Sequence, residues 1–223
     1  MPSLRQHSKL IALLLFAAVV VNGLVLAWRY AAYRNRPAST YYEYQVQRWQ
    51  QQLVIRPSDP AVWATLGGLY EEMGEKGRAQ AAYARALELD PKNAAALVHD
   101  ARLAAEQGRY DEGRRCLKKA LSGLPKKGRY LVYFTLGELE ESAGRPVAAA
   151  RAYEASVADN DTFWNAHYRL AFIYYDRGDS KRALAEATRA ERFMHDRPDL
   201  ERLLDRLRAE KVGDGDIEEQ HGD

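Results

Sequence analysis

The stretch from Pro60 to Pro91, PAVWATLGGLYEEMGEKGRAQAAYARALELDP, decides the fold. Trp63, Leu66, Gly67 and Tyr70 fall on one face of a first helix, and Ala79, Tyr83 and Ala86 recur at helical spacing on a second, with Pro91 closing the unit. Two antiparallel helices approach closely only where small residues leave room. Gly67 and the alanines leave it, while Trp63, Leu66, Tyr70 and Tyr83 fill the space around those contacts. Such a hairpin cannot bury its own apolar face and needs neighbours built the same way.

The chain supplies them. Leu66-Gly67 is followed 34 residues later by Asp100-Ala101, 36 later by Leu136-Gly137 and 34 later by Leu170-Ala171. The second-helix positions keep step as Tyr83, Leu117, Tyr153 and Ala187, and as Ala86, Ala120, Ser156 and Ala190. The two extra residues fall in Leu124-Pro125-Lys126-Lys127-Gly128-Arg129, a basic loop whose Pro and Gly mark a lengthened connection between intact helices. The second repeat departs most, with Asp100 where Leu is expected and Ala104 where Tyr70 stands, so the thinnest packing is expected there. The residues Trp63, Leu66-Gly67, Tyr70, Ala79, Tyr83, Ala86 and Pro91 resemble the tetratricopeptide repeat (TPR) family, whose pattern W-x2-L-G-x2-Y, A-x3-F/Y, A and P they match without a gap. The resemblance implies an all-α, right-handed α-solenoid with repeats at 60–93, 94–129, 130–163 and 164–197.

Ahead of the repeats, after a short tail at 1–9, Leu10 to Trp28 is an uncharged run of 19 residues interrupted only by Asn22 and Gly23. As a helix it is about 28 Å long, close to the hydrocarbon thickness of a bilayer, and it reads as one transmembrane helix at 10–28. Arg5 and Lys9 precede it; Trp28, Arg29, Tyr30, Tyr33, Arg34 and Arg36 follow, which suits an interfacial belt. A cleaved signal peptide is the competing reading, since Val25-Leu26-Ala27 offers a small residue before a cut. Basic residues on the two sides nearly balance; the expected orientation puts the short tail in the cytoplasm and the repeats outside, with cytoplasmic repeats as the alternative. A linker at 29–40 contains the helix-breaking Asn35-Arg36-Pro37-Ala38-Ser39, and Thr40 with Glu43 forms a capping box that restarts a helix. Tyr42, Val46, Trp49 and Leu53 then make 41–59 a half-repeat that closes the open end of the solenoid.

At the other end, Pro198 opens a capping helix over 198–212 with Leu200, Leu203, Leu204 and Leu207 on one face and Glu201, Arg202, Asp205, Arg206 and Arg208 on the other. The acidic residues 213–223, low in apolar side chains, read as disordered. The composition, 47% hydrophobic and 29% charged over 223 residues, is ordinary for a helical-repeat chain, and a net charge of +2 gives no reason to invoke nucleic acid. Cys116 is the single cysteine, which excludes an internal disulfide or thiolate metal cluster; it reads as a small buried apolar residue. The five histidines show no metal-ligand spacing, and no phosphate loop or nucleophile elbow is present. Glu71-Glu72 and Glu140-Glu141 read as solvated charge. No catalysis, cofactor, metal or small-molecule substrate is expected.

What remains is binding. In the TPR family the first helices line a concave groove, and the resemblance puts Ala61, Ala64, Gly68, Glu71, Val98, Arg102, Phe134, Glu138, Asn165, Tyr168, Phe172 and Tyr175 there. The expected binding surface is its C-terminal end: Phe134, Tyr168, Phe172 and Tyr175 as an aromatic patch, with Arg102, Glu138 and Asn165 beside it. The equal alternative is that several of these rings pack onto the terminal helix. The positions that some family members use to clamp a C-terminal carboxylate hold Ala64, Gly68 and His99. An N-terminal span followed by repeats resembles bacterial inner-membrane TPR proteins, namely the TPR subunits of cytochrome c maturation and the translocon-associated TPR subunit. That implies a membrane-anchored adaptor taking a peptide or helix of a protein partner. A structural subunit of a larger membrane complex and a secreted soluble module are the rival readings.

Overall fold

The turn inside each repeat sets the architecture. Gly74, Gly108, Gly144 and Gly178 all adopt positive φ, from 70° to 73°, at intervals of 34, 36 and 34 residues. Left-handed backbone there costs an ordinary L residue about 1–2 kcal/mol and glycine little. It lets the next residue turn back: the amides of Glu75, Arg109, Arg145 and Asp179 donate to the carbonyls of Tyr70, Ala104, Glu140 and Tyr174 at 2.8–2.9 Å. One capping device thus reverses the chain four times.

The computed structural model describes residues 38–194 and 196–219. Among them are ten helices and no strand: α1 (Ala38–Ile55), α2 (Pro60–Glu72), α3 (Lys76–Leu89), α4 (Ala94–Glu106), α5 (Tyr110–Gly123), α6 (Tyr130–Ser142), α7 (Pro146–Asp159), α8 (Trp164–Asp176), α9 (Ser180–Glu191) and α10 (Pro198–Glu219). They pair as hairpins α2/α3, α4/α5, α6/α7 and α8/α9, and the first helices α2, α4 and α6 lie side by side. The result is an all-α, TPR-like solenoid. No described helix is long and apolar enough to cross a membrane; the run Leu10 to Trp28, with its alternative cleavage site at Ala27, lies outside the described residues.

Three of the four hairpins close through a gap left by glycine, and the fourth through the fully buried Ala171 and Ala187. A Cβ on Gly67 would stand 2.8 Å from two carbons of the Tyr83 ring, and one on Gly137 would come within 2.6 Å of the Tyr153 ring. The second repeat solves the same problem from the other helix. Gly113 of α5 lies where a Cβ would sit 2.9 Å from the Ala101 carbonyl oxygen, and Ala101, Leu117 and Ala120 are fully buried. The thin packing expected there does not appear, because glycine has moved from the first helix to the second. Asp100 is half-buried, and burial raises its carboxyl above the usual range. Cys116 is likewise only half-buried rather than buried, with its thiol pushed up by the same cause and then by Asp100.

Helix starts follow the side chains available. Asp59 accepts from the Ala61 amide at 2.9 Å ahead of Pro60, and Asn93 and Asp179 accept from Ala96 and Arg182 at 3.1 and 3.0 Å. Arg129 cannot cap α6, and Asp159 at the end of α7 does it instead, accepting from the amides of Gly128 at 3.0 Å and Tyr130 at 2.9 Å. The longer basic loop is held by that carboxylate.

At the N-terminal end α1 buries Val46 and packs on α2, while Tyr41, Tyr44, Val54 and Ile55 stay 55–85% exposed. Its first residue is Ala38, so Thr40 lies inside the helix and not at its cap. At the C-terminal end Leu200, Leu203, Leu204 and Leu207 are buried. The helix continues to Glu219, so residues 213–219 are helical where composition suggested disorder. Extending a formed helix adds one hydrogen bond per residue fixed and escapes the cost of nucleation, which outweighs the weak preferences of Gly213 and Gly215.

Glu140 is not solvated. It is 5% exposed, and the Arg114 guanidinium of α5 holds both its carboxylate oxygens, at 2.6 and 3.1 Å, with Arg145 at 3.6 Å. This buried fork joins the second repeat to the third.

Candidate protein-binding trough

The side-by-side first helices make a trough, and paired Tyr and Glu residues fix its floor. Tyr83 of α3 donates its hydroxyl to Glu71 of α2 at 3.1 Å, and Tyr153 of α7 donates to Glu141 of α6 in the same way, twelve residues apart in both cases. His99 of α4 stacks on the Tyr83 ring at 4.2 Å and 24°, with Nδ1 3.7 Å from the nearer Glu71 oxygen and without a hydrogen-bond partner. These contacts set where Glu71 and His99 stand along the trough.

Burial first, and then the adjoining carboxylate, raises the Tyr83 and Tyr153 hydroxyls far above their ordinary value; Tyr174, bonded to Glu154, is pushed up to about 12. A folded value above an unfolded one near 10 means that the stability linked to these groups is complete below about pH 10 and declines above it. The melting midpoint is therefore expected to fall more steeply above pH 10 in the parent than in a Tyr83→Phe/Tyr153→Phe variant. Parallel slopes in thermal melts between pH 8 and 11 would exclude this linkage.

Three cavities open along the trough and meet at Arg102, an exposed residue of α4. The first, about 350 Å³, is largely apolar and is walled by Val98, Leu131, Val132 and Phe134 between α4 and α6. The second, about 360 Å³, lies further along the same two helices beside Ala101, Ala105, Glu106, Glu138 and Leu139. The third, about 160 Å³, runs between Glu71, His99 and Gln80. Among the described residues, no group of three or more His, Cys, Asp or Glu side chains could hold a metal ion.

Of the expected binding residues, Arg102, Phe134 and Glu138 come together at these cavities. Phe134 is half-buried, with its ring 5.3 Å from Tyr153 and edge-on to Phe163 at 5.1 Å. Glu138 is half-buried too; burial raises its carboxyl, and Arg102 and Arg169 draw it part of the way back. Asn165, Tyr168, Phe172 and Tyr175 lie apart on α8, all half-buried. The Tyr168 ring lies 4.9 Å from that of Phe172, tilted by 55°; Tyr168 donates to Asp199 at the start of α10 and accepts from Arg197 at 3.0 Å. Arg197 first, and then Tyr168, hold the Asp199 carboxyl well below the usual carboxylate range. The aromatic end of the expected patch is thus engaged with the terminal helix. Ala64, expected on the groove, is buried in the core of the first repeat. Leu131, His99, Thr135 and Glu106 also line the cavities. Their signal is helical spacing: Leu131 precedes Phe134 by three and Glu138 by seven, and His99 precedes Arg102 by three.

A solenoid of helical hairpins with an open trough along its first helices defines a TPR-like domain. Residues 38–194 match the family model described as the Cilia and flagella-associated protein 70 middle TPR-like domain, and the chain belongs to that family. Its fold is similar to that of Pseudomonas aeruginosa pilF, at 23% identity and a TM-score of 0.68, covering 80% of each chain. PilW, described as a widely conserved type IV pilus biogenesis factor, gives 19% identity and a TM-score of 0.63 over 84% of this chain and 83% of its own. YrrB, described as a TPR protein with an unusual peptide-binding site, gives 20% and 0.56 over 74% and 84%. The Pseudomonas aeruginosa protein named a probable biofilm formation methyltransferase, WspC, is 37% identical over 79 residues, which are 35% of this chain. The match spans only 19% of that relative's length.

Proposed function

We propose that this chain is an interaction scaffold that receives a peptide or helix of a protein partner in the trough formed by α2, α4 and α6, and that the run Leu10 to Trp28 tethers it to a bilayer with the repeats on the extracytoplasmic side. The observation that carries the reading is the meeting of three cavities at Arg102, one apolar and two lined by charged residues, on an open face. Clefts that combine apolar walls with a few polar groups are where ligands bind. The peptide-binding site named for YrrB and the biogenesis role named for PilW supply precedents on the same fold. The reading extends no catalytic step to this chain, and the methyltransferase name stays with its relative.

The test is crosslinking capture of partners from native membranes by the full-length chain. Leu131 is 51% exposed, so Leu131→Asp leaves the fold intact while placing a charge in the apolar cavity. It is expected to weaken capture by roughly 2 kcal/mol or more, as loss of an interface anchor does. Capture at parental strength by Leu131→Asp, with an unchanged helical circular dichroism spectrum, sinks the trough as the binding surface. A second reading, a structural subunit docked through α1, is favoured by the exposure of Tyr41, Tyr44, Val54 and Ile55. Crosslinks from that helix rather than from the trough would select it. The tether predicts resistance to carbonate extraction, whereas a mature N-terminus at Trp28 would mean a cleaved leader.

A further inference from the structure

Two carboxylates line one cavity of the trough without a close ion pair among the described residues. Their neighbours are engaged: Glu71 accepts from Tyr83, Glu140 is held by Arg114, and Glu141 accepts from Tyr153 with Arg169 at 3.8 Å. Glu106, the last residue of α4, and Glu138, on α6, form no ion pair among the described residues, and both line the cavity of about 360 Å³. Glu138 is half-buried, and Arg102 and Arg169, both beyond ion-pair distance, offset only part of the cost of taking its carboxylate out of water. Among the charged side chains that line this cavity, one guanidinium, that of Arg102, stands against two carboxylates; Arg169 acts on Glu138 from outside the lining, and Lys76 lines the adjoining cavity with Glu106. The last turns of α4 and α6 also meet here, and helix C-termini add partial negative charge. Between the carboxylates and the helices the walls are Ala101, Ala105 and Leu139, small and apolar. That is the environment for an alkyl stem that ends in a cation.

Resting on the reading of this trough as a peptide site, we infer that its occupant is a segment of a protein partner in which a Lys or Arg stands close to a bulky apolar residue. The cationic side chain lays its stem along Ala101, Ala105 and Leu139 and reaches Glu106 and Glu138. The apolar side chain enters the neighbouring cavity of about 350 Å³ against Val98, Leu131 and Phe134. The two cavities share Arg102 and Thr135, so near neighbours in one ligand chain reach both. Thr135 spends its hydroxyl hydrogen on the Leu131 carbonyl at 3.0 Å, whereas Arg102, which forms no ion pair among the described residues, can donate to carbonyl oxygens of the ligand backbone. A lining of two carboxylates and one guanidinium suits an added cation better than an acidic segment.

The experiment is an array of synthetic peptides of randomised sequence probed with the purified full-length chain, its Glu106→Gln/Glu138→Gln variant and its Leu131→Asp variant. Expected is enrichment of Lys or Arg within a few residues of Leu, Ile, Phe or Met on the parent. In the glutamine variant the basic preference should disappear while the apolar one persists, and the best basic peptides should bind about tenfold more weakly. Those glutamines remove charge from positions with no ion pair, so the fold is unaffected. Selection of acidic or charge-indifferent peptides that Leu131→Asp no longer binds overturns this inference and leaves the trough standing as the site. Retention of the basic preference by the glutamine variant also overturns it. Binding of every selected peptide at parental strength by Leu131→Asp overturns the trough reading itself.

Discussion

Arg114→Ala is expected to lower the unfolding free energy by about 3–5 kcal/mol, because it strands the Glu140 carboxylate in a nearly closed environment. Glu140 is 5% exposed and takes both of its close contacts from Arg114. Arg145, at 3.6 Å and half-exposed, offers only partial relief and places the effect toward the lower end of that range. The second carboxylate on Arg114, Asp111, is solvent-exposed and adds little, so Asp111→Ala should change stability by well under 1 kcal/mol. Urea denaturation of Arg114→Ala, Glu140→Leu and the double variant Arg114→Met/Glu140→Leu separates the possibilities. Removing both charges while keeping the volume is expected to be close to neutral, since it abolishes the uncompensated ion. A loss below 1 kcal/mol for Arg114→Ala would show that water or Arg145 satisfies Glu140 and that the link between the second and third repeats lies elsewhere.

The repeat itself was legible because its signal is local and periodic. Trp63, Leu66-Gly67, Tyr70 and Tyr83 lie within one hairpin, and a step of 34 or 36 residues carries their counterparts into the next. The exchange in the second repeat was harder to see. Asp100 and Ala104 look like weak points in a position-by-position comparison, and only the spatial contact of Gly113 with Ala101 shows that the helices still close. The burial of Glu140 was hidden for a related reason. Its neighbour Glu141 turns toward the trough and Tyr153, while Arg114, 26 residues earlier, is what makes Glu140 a core residue.

The trough was half legible. The resemblance to the TPR family placed Arg102, Phe134 and Glu138 on the groove, and all three line the cavities between α4 and α6. It could not rank the two ends of that face. Tyr168 and Phe172 look like anchors by residue type, but the contacts that engage Tyr168 come from Arg197 and Asp199, about thirty residues later. Cavities form instead where Ala94, Ala95 and Ala101 leave space between larger neighbours, and a run of small residues reads as featureless until the opposing helix is placed.

Gly137→Leu is expected to destabilise the full-length chain by at least the 1–3 kcal/mol typical of an overpacked core, and by more than Gly67→Leu. The difference comes from what each new side chain meets. A Cβ on Gly67 would stand 2.8–2.9 Å from the Tyr83 ring, which is 6% exposed and borders the trough, so a small shift of that ring eases the clash. A Cβ on Gly137 would come within 2.6 Å of Tyr153, a closer approach to a ring that is fully buried, although both rings are tied through their hydroxyls to a glutamate of the first helix. With no exposed edge to move toward, Tyr153 yields only if α7 moves. Thermal melts followed by circular dichroism should place the midpoints in the order parent, Gly67→Leu, Gly137→Leu. Shrinking the opposing ring, as Gly137→Ala/Tyr153→Leu, should recover part of the loss that Gly137→Ala causes alone, because the two changes share one contact. Gly137 lies between Phe134 and Glu138 on α6, so displacing that helix is also expected to weaken ligand capture at temperatures where the chain is still helical. A parental midpoint for Gly137→Leu would mean that α6 and α7 do not cross there, and the placement of Phe134 and Glu138 on the trough would fall with it.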